Sequence, residues 1–215
     1  MRKILLFLWI LLPAAALAYH YGPGQERVRC DEASLAIARA REAGFMARQL
    51  ALEQGDEAAK PLWAEAEKAC GEALALVPPE RTADVRALRL ERAKAQMWIG
   101  QLPDARHEFE ALVEEFSADQ KADPKASKAD LRDARTGLAQ AQYFMTWLMR
   151  LEGSARTEWE PEIEAARQNY KLLAEEAIAM GDATAAESGR QDLESAVKLE
   201  RMELKDLQGL PLPSQ

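Results

Sequence analysis

The stretch from Gly100 to Leu112, GQLPDARHEFEAL, constrains the fold more than any other part of this chain. We expect a helix to end at Gly100, because glycine readily adopts the left-handed conformation that terminates helices. Pro103 then suits the first position of a second helix. In that helix Ala105, Phe109 and Leu112 recur at helical spacing and share one face. The stretch therefore predicts two helices that pack against each other across a tight turn.

Two further segments repeat this order of a proline, a small residue, a larger residue and a small or aliphatic residue. They are predicted to be helices that begin at Pro61 and Pro161, after connections at Asp56–Lys60 and Ser154–Glu160. The sequence therefore predicts three helix pairs, followed by a last helix with Asp182 as its N-cap that runs to about Asp206. The predicted paired helices are Asp31–Gln54, Pro61–Val77, Thr82–Ile99, Pro103–Phe116, Leu131–Gly153 and Pro161–Met180, with a solvated loop at Ser117–Lys128.

A glycine turn followed by a small residue, an aromatic ring and an aliphatic residue resembles the tetratricopeptide repeat, in which helix pairs stack on one another. The resemblance extends over residues 31 to about 180 and is clearest from Gly100 to Leu112. It implies an all-α fold of about three antiparallel pairs plus a C-terminal capping helix, stacked as a short α-solenoid. It also implies packing roles for Ala66, Cys70, Ala73, Gly100, Ala105, Phe109, Leu112, Ala166, Tyr170 and Leu173.

In this family the first helix of each pair lines a concave side on which peptides bind. The resemblance therefore implies that recognition involves Phe45, Gln49, Leu90, Lys94, Met97, Trp98, Tyr143, Trp147 and Arg150. Aromatic and arginine side chains are frequent anchors of interfaces. The alternative for Trp98, Tyr143 and Trp147 is that they only pack between helix pairs. Our hypothesis is that Lys94 and Arg150 contact an acidic or C-terminal carboxylate of a partner.

The first eighteen residues differ from the rest of the chain. Arg2 and Lys3 precede an unbroken apolar run, and a proline and small residues follow, ending at Ala18. This order predicts a cleavable secretory signal peptide over residues 1–18. The alternative is a membrane anchor, but Ile4–Ala18 is shorter than the roughly 20 residues that a spanning helix needs. We therefore expect an exported chain without an integral membrane span. Its predicted parts are an irregular arm at 19–30, a repeat domain at 31–206 and an extended tail at 207–215.

Export would permit a disulfide between Cys30 and Cys70, since secreted proteins fold in oxidising compartments. If the first two predicted helices form a hairpin, however, Cys30 lies level with Pro78. Cys70 is then about 12 Å away along its helix axis, at 1.5 Å per residue. That separation is too long for a disulfide unless residues 19–30 fold back. A buried packing role is the alternative for Cys70.

Composition and motifs narrow the function classes. The formal net charge of −8 argues against a nucleic-acid partner, because binding to phosphates requires a basic surface. The two histidines, His20 and His107, form no metal-ligand pattern, and no phosphate loop or catalytic motif occurs. We expect no cofactor, no metal and no catalytic residue. The predicted function is a scaffold that binds another protein or peptide in the cell envelope or periplasm. One alternative is a self-associating structural protein; a hydrolytic enzyme with paired carboxylates is least favoured.

Overall fold

The structure, a computed structural model, describes residues 23–123 and 128–208, together with Pro13 and Leu17. The rest of the predicted signal peptide, and the predicted tail from Gly209 on, lie outside the described residues. The described part is all-α, as the sequence predicts, and contains no strand. Its helices are α1 (Pro23–Gln54), α2 (Asp56–Leu76), α3 (Thr82–Trp98), α4 (Leu102–Ala122), α5 (Lys128–Leu151), α6 (Arg156–Met180), α7 (Ala183–Arg201) and α8 (Leu204–Gln208).

Helices that follow one another in the chain pack against one another from α1 to α7. Contacts between helices that are not consecutive include those of α1 with α3, α3 with α5, and α5 with α8. The first helices of the three predicted pairs therefore lie side by side. None of the helices in the described ranges is both long and apolar enough to cross a membrane.

The turn at Gly100 has the predicted conformation, with φ at 86°. The N–H of Gln101 donates to the carbonyl of Gln96 at 2.8 Å, and the N–H of Gly100 donates to that of Met97 at 3.2 Å. This pair of bonds is a Schellman motif, which satisfies the last carbonyls of α3. The same pattern closes α5 at Gly153 and α6 at Gly181. The prediction that glycines end these helices is confirmed.

The core around Phe109 shows why α4 packs so closely on α5. Ala105, Phe109 and Leu112 of α4 are completely buried, as predicted. A Cβ atom added to Gly137 of α5 would lie within 2.8 Å of three carbons of the Phe109 ring. The ring therefore occupies the space that a side chain at position 137 would need. The helix backbones approach because one of them carries a glycine at the contact.

The equivalent faces of α2 and α6 are also turned inward. Ala66 and Ala73 are buried in the first pair, Ala166 and Tyr170 in the third, while Leu173 is half-buried. Burial of the Tyr170 side chain raises the pKa of its hydroxyl. These faces are therefore buried to differing degrees in all three pairs, and their assignment to packing between repeats stays a prediction.

The two cysteines are not bonded to each other. Cys30 is exposed, whereas Cys70 is 1% exposed in the core of the first pair. Burial, with a smaller contribution from Glu91, raises the pKa of the Cys70 thiol to about 12. A neutral, enclosed thiol is a poor nucleophile. Cys70 is therefore a buried core residue, and its role in packing between repeats stays a prediction.

Five predicted boundaries are wrong. Helix α1 begins at Pro23, so residues 23–30 are helical rather than irregular; proline suits the first position of a helix. Helices α2 and α6 begin five residues before Pro61 and Pro161. A proline this close to a helix start removes only one hydrogen bond, and solvent can replace it there.

The other two corrections concern α4 and the last helix. Helix α4 continues to Ala122, through half of the segment predicted as a loop, since polar residues suit an exposed helix face. The last helix is interrupted after Arg201, and the short α8 follows. This break allows Leu207 to be fully buried beside α5.

Candidate functional site

Two clefts meet on the side of the molecule where α1, α3 and α5 lie next to one another. The first, of about 390 Å³, contains Trp63 and Trp98 and is called the tryptophan cleft. The second, of about 410 Å³, contains Arg41 and Arg86 and is called the arginine cleft. Arg48 of α1 and Asp133 of α5 line both. The two clefts therefore adjoin each other across α1, α3 and α5, and together they are called the groove.

The floor of the groove is one face of α3. Ala83, Ala87, Leu90, Lys94 and Met97 line it at intervals of three or four residues, which places them on one side of the helix. Leu90 and Met97 are buried, at 6% and 7% exposure. The sequence prediction that Leu90, Lys94, Met97 and Trp98 face a common groove is consistent with this geometry.

Charged side chains link the three helices across the floor. Arg48 of α1 contacts Glu91 at 3.2 Å, and Lys94 contacts the same carboxylate at 2.9 Å. Lys94 also reaches Asp133 of α5 at 3.4 Å. These groups are partly exposed, so each pair contributes at most about 1 kcal/mol to stability. The network fixes Lys94 in place and already satisfies its charge.

The tryptophan cleft is the apolar end of the groove. The rings of Trp63 and Trp98 stack with centroids 5.6 Å apart and an angle of 11° between their planes. Trp63 is 2% exposed, Trp98 is half-buried, and Leu52 at the mouth is 81% exposed. An exposed aliphatic side chain beside a partly exposed indole is an apolar surface that a partner can cover.

At the other end, the arginine cleft contains one arginine that forms no ion pair with the residues that the structure describes. Arg86 pairs with Asp119, and with Glu115 at 2.9 Å, and these two carboxylates raise the pKa of its guanidinium. Arg41 is exposed and has no ion-pair partner within the residues that the structure describes. Arg41 is therefore available to an anionic group in the groove.

Two predicted binding residues lie on α1 at the edge of the groove rather than in it. Phe45 is 55% exposed and lies one helical turn from both Arg41 and Arg48. Gln49 is also exposed. Both side chains are accessible beside the groove.

Three other predicted binding residues are not in the groove. Trp147 is 5% exposed in the core formed with α6 and α7, and the half-buried Tyr143 ring lies 6.2 Å from it. The packing alternative is correct for Trp147. Burial raises the pKa of the Tyr143 hydroxyl, with a smaller contribution from the carboxylate of Asp192.

Arg150 has a structural role. Its guanidinium donates hydrogen bonds to the carbonyls of Leu199 and Met202 at the end of α7, and it lies 4.8 Å from the centre of the Trp159 ring. It is 9% exposed, and burial lowers its pKa. The hypothesis that Arg150 contacts a partner's carboxylate is therefore wrong, because its donors are occupied by the protein's own backbone.

Sequence reasoning missed several residues that shape the groove. The unusual Gly137 in the middle of a helix was a usable signal, since such a glycine generally has a packing reason. Leu52 and Trp63 gave no signal, because a lone apolar residue in a helix fits both surface and core. Nothing in the sequence placed Asp133 opposite Lys94.

His107 is exposed on α4, away from the groove residues. Among the described residues, no group of three His, Cys, Asp or Glu side chains is arranged to hold a metal ion. No family model, no curated protein and no solved structure matches this chain.

Proposed function

We propose that this chain is an exported scaffold of the tetratricopeptide-repeat type, with three helix pairs and a C-terminal cap stacked as a short α-solenoid. Two observations support the proposal. The first helices of successive pairs contact one another, which occurs when pairs stack in one direction. Each of these helices, α1, α3 and α5, is also followed by a glycine with positive φ.

The function that we propose is binding of a segment of another protein in the groove. The observation that carries it is the groove over α1, α3 and α5. It has an apolar cleft at one end and, at the other, Arg41, which forms no ion pair with any residue that the structure describes. A bulky apolar side chain of the partner would enter the tryptophan cleft, and an acidic group would pair with Arg41. Lys94, already held by Glu91 and Asp133, would position these surfaces rather than supply the main charge.

A catalytic function is not part of the proposal. Three of the five acids that line the groove, Glu91, Asp119 and Asp133, are each engaged in an ion pair with an arginine or lysine. A general acid or base must exchange a proton with a substrate, which such engagement opposes.

The binding proposal can be tested by affinity capture from cell-envelope extracts with three forms of the protein. Leu52→Glu places a charge at the mouth of the tryptophan cleft, and the exposure of Leu52 means that folding is unaffected. Ile178→Glu is the matched control, because Ile178 is 69% exposed on α6, outside the groove. A partner retained by the wild type and by Ile178→Glu, but lost by Leu52→Glu, is the expected result. Equal capture by all three forms would refute the groove assignment.

The proposed export can be tested separately. The protein recovered from fractionated cells should lie outside the cytoplasm, and its N-terminal residue should be Tyr19, as the predicted cleavage after Ala18 requires. Recovery only from the cytoplasm, or with residues 1–18 still attached, would contradict this part of the proposal.

A further inference from the structure

The indole nitrogen of Trp63 is a buried donor without an acceptor. Trp63 is 2% exposed, and its Nε1 is one of two buried side-chain nitrogen atoms that have no hydrogen-bond partner among the residues that the structure describes. The other is Nε of Arg167, whose guanidinium pairs with Glu164 and Glu200 through a different nitrogen. An indole has a single N–H, so Trp63 has no second donor to use. Folding therefore removes this N–H from water without replacing its hydrogen bond.

The surroundings of Trp63 explain why this donor is unpaired. The ring stacks on that of Trp98, and the other buried members of its core cluster are alanines, whose side chains offer no acceptor. Trp63 also lines the tryptophan cleft. The side-chain acceptors of that cleft leave its nitrogen unpaired; they belong to Asp56, Asp133, Thr136 and Gln140. The tryptophan cleft is therefore the place from which an acceptor outside the chain can approach the ring.

We propose that the segment bound in the tryptophan cleft carries a neutral carbonyl group beside its apolar side chain, and that this carbonyl accepts a hydrogen bond from Nε1 of Trp63. The inference rests on the proposed binding function and adds the chemistry of the bound segment. A peptide backbone supplies an amide carbonyl next to every side chain. The occupant is therefore a peptide whose backbone enters the cleft together with an apolar side chain, and the N–H of Trp63 regains the hydrogen bond that it lost on folding.

The charges of the cleft favour a neutral acceptor over a carboxylate. Two cationic and two anionic residues line the cleft: Arg48, Lys94, Asp56 and Asp133. Arg48 already contacts Glu91, and Lys94 contacts both Glu91 and Asp133. A carboxylate would be repelled by the two aspartates while both cations are already paired, whereas a carbonyl carries no net charge to be repelled.

The buried position of the donor requires a local movement on binding. Nε1 of Trp63 exposes less than 1 Å² to solvent, so a carbonyl reaches it only when side chains at the mouth of the cleft shift. Leu52 is 81% exposed there and Trp98 is half-buried, so their movement disrupts little packing. Binding therefore includes a shift of these side chains, not of the helices that carry them.

The first test uses the free protein and an analogue of tryptophan. Benzothienylalanine has the shape of tryptophan but a sulfur atom in place of the N–H. Since the N–H has no acceptor in the free protein, Trp63→benzothienylalanine should unfold at no lower a denaturant concentration than the wild type. A clear loss of stability would show that the N–H is already hydrogen-bonded in the folded protein and would overturn the proposal.

The second test adds a defined probe, N-acetyl-leucine methylamide, which carries an isobutyl side chain between two amide carbonyls. NMR follows the indole N–H of Trp63 and the methyl group of Met97, which also lines the cleft. Both signals of the wild type should shift until saturated, with the indole proton moving downfield as it gains an acceptor. Trp63→benzothienylalanine should bind the probe about tenfold more weakly, because one hydrogen bond is lost. Trp147→benzothienylalanine is the control, since Trp147 is buried outside the groove, and it should bind the probe as the wild type does.

The outcomes separate the carbonyl proposal from the groove assignment. If the Met97 methyl shifts and the Trp63 indole does not, or if the two analogues bind the probe equally, the cleft binds apolar groups without the proposed hydrogen bond. The carbonyl proposal is then overturned and the groove assignment stands. A wild type in which neither signal shifts also overturns the carbonyl proposal. The groove assignment is refuted by a different result, equal capture of a partner by the wild type and Leu52→Glu.

Discussion

The layer around Phe109 and the layer around Arg150 are held together by different kinds of interaction. Between α4 and α5, the Phe109 ring rests on the backbone at Gly137, and the contact is apolar. Between α5 and α7, Arg150 passes beside Trp159 and donates to the last carbonyls of α7. The first contact depends on shape, because two helix backbones must approach. The second depends on donors, because carbonyls at a helix end have no partner within the helix.

The two layers differ in how the carbonyls at their helix ends find hydrogen-bond donors, and this difference explains why Arg150 is buried. In the middle of the series the turns at Gly100 and Gly153 satisfy the last carbonyls of α3 and α5, so these ends need no buried side-chain donor. At the end of α7 the chain turns without a glycine, at Met202 and Glu203. A buried arginine supplies the missing donors there, and its desolvation is offset by the hydrogen bonds and the indole ring.

The largest effect on stability should come from removing the Phe109 ring between α4 and α5. Phe109→Ala should lower the free energy of unfolding by about 3–5 kcal/mol, since the cavity is sealed on all sides. Denaturant unfolding measures it. The matched control is Phe45→Ala, which removes the same ring from an exposed site and should change stability by less than about 0.5 kcal/mol. Similar losses in the two variants would mean that the Phe109 ring is not enclosed.

The next largest effect on stability should come from removing the hydrogen-bond donors of Arg150. Arg150→Met keeps much of the side-chain volume but leaves the carbonyls of Leu199 and Met202 without their partner, at a cost of about 1.5–3 kcal/mol. Hydrogen exchange should accelerate in α8 and the last turn of α7, but not in α4. Arg156→Met is the control, because Arg156 also lies near the Trp159 ring but is exposed. Unchanged exchange in Arg150→Met would refute the structural role of the guanidinium.

A smaller net effect is expected at the close approach of α4 and α5. Gly137→Ala should cost about 1–3 kcal/mol by overpacking against Phe109, partly offset by roughly 1 kcal/mol of better helix propensity. Gly71→Ala is the control, because a Cβ at this site meets no atom within 4 Å. It should stabilise the protein. Combining Gly137→Ala with Phe109→Leu should cost less than the sum of the two single changes; simple additivity would show that the two positions do not touch.

The smallest effect should arise in the groove, where polar contacts are exposed rather than buried. Glu91→Gln removes the charge that Arg48 and Lys94 share and should cost at most about 1 kcal/mol. The loss should diminish as salt is added, because solvent ions screen partly exposed pairs. The effect of Arg150→Met should not change with salt. A loss of stability in Glu91→Gln that did not change with salt would mean that the ion pairs of Glu91 are less accessible to solvent than the exposed fractions of their side chains indicate.

Much of the fold could be predicted from local sequence signals. The glycines that end α3, α5 and α6, and the inward residues Ala105, Phe109 and Leu112, follow from conformational preference and helical spacing. The starts of α2 and α6 could not be predicted as well. A proline is compatible both with the first position of a helix and with a place slightly inside it, so Pro61 and Pro161 did not define the start.

The candidate site was predictable only in part. Spacing along α3 placed Leu90, Lys94 and Met97 on one face, and that face does form the groove floor. The same reasoning applied to α5 put Arg150 with them. Which side of α5 faces α3 and which faces α7 depends on contacts between distant parts of the chain, and spacing within one helix carries no information about them.

The sequence by itself therefore determined the elements: an all-helical chain, the glycine turns and the apolar stripe of each helix. These properties depend on bonds and sterics within a few residues. Only the tertiary structure decided which charged groups form ion pairs or hydrogen bonds within the protein and which are accessible to a partner. Lys94 is held by Glu91 and Asp133, and Arg150 by the carbonyls of α7, whereas Arg41 pairs with none of the residues that the structure describes. The interactions of a charged group depend on the residues that folding brings within a few ångströms of it, and these can be distant in the sequence.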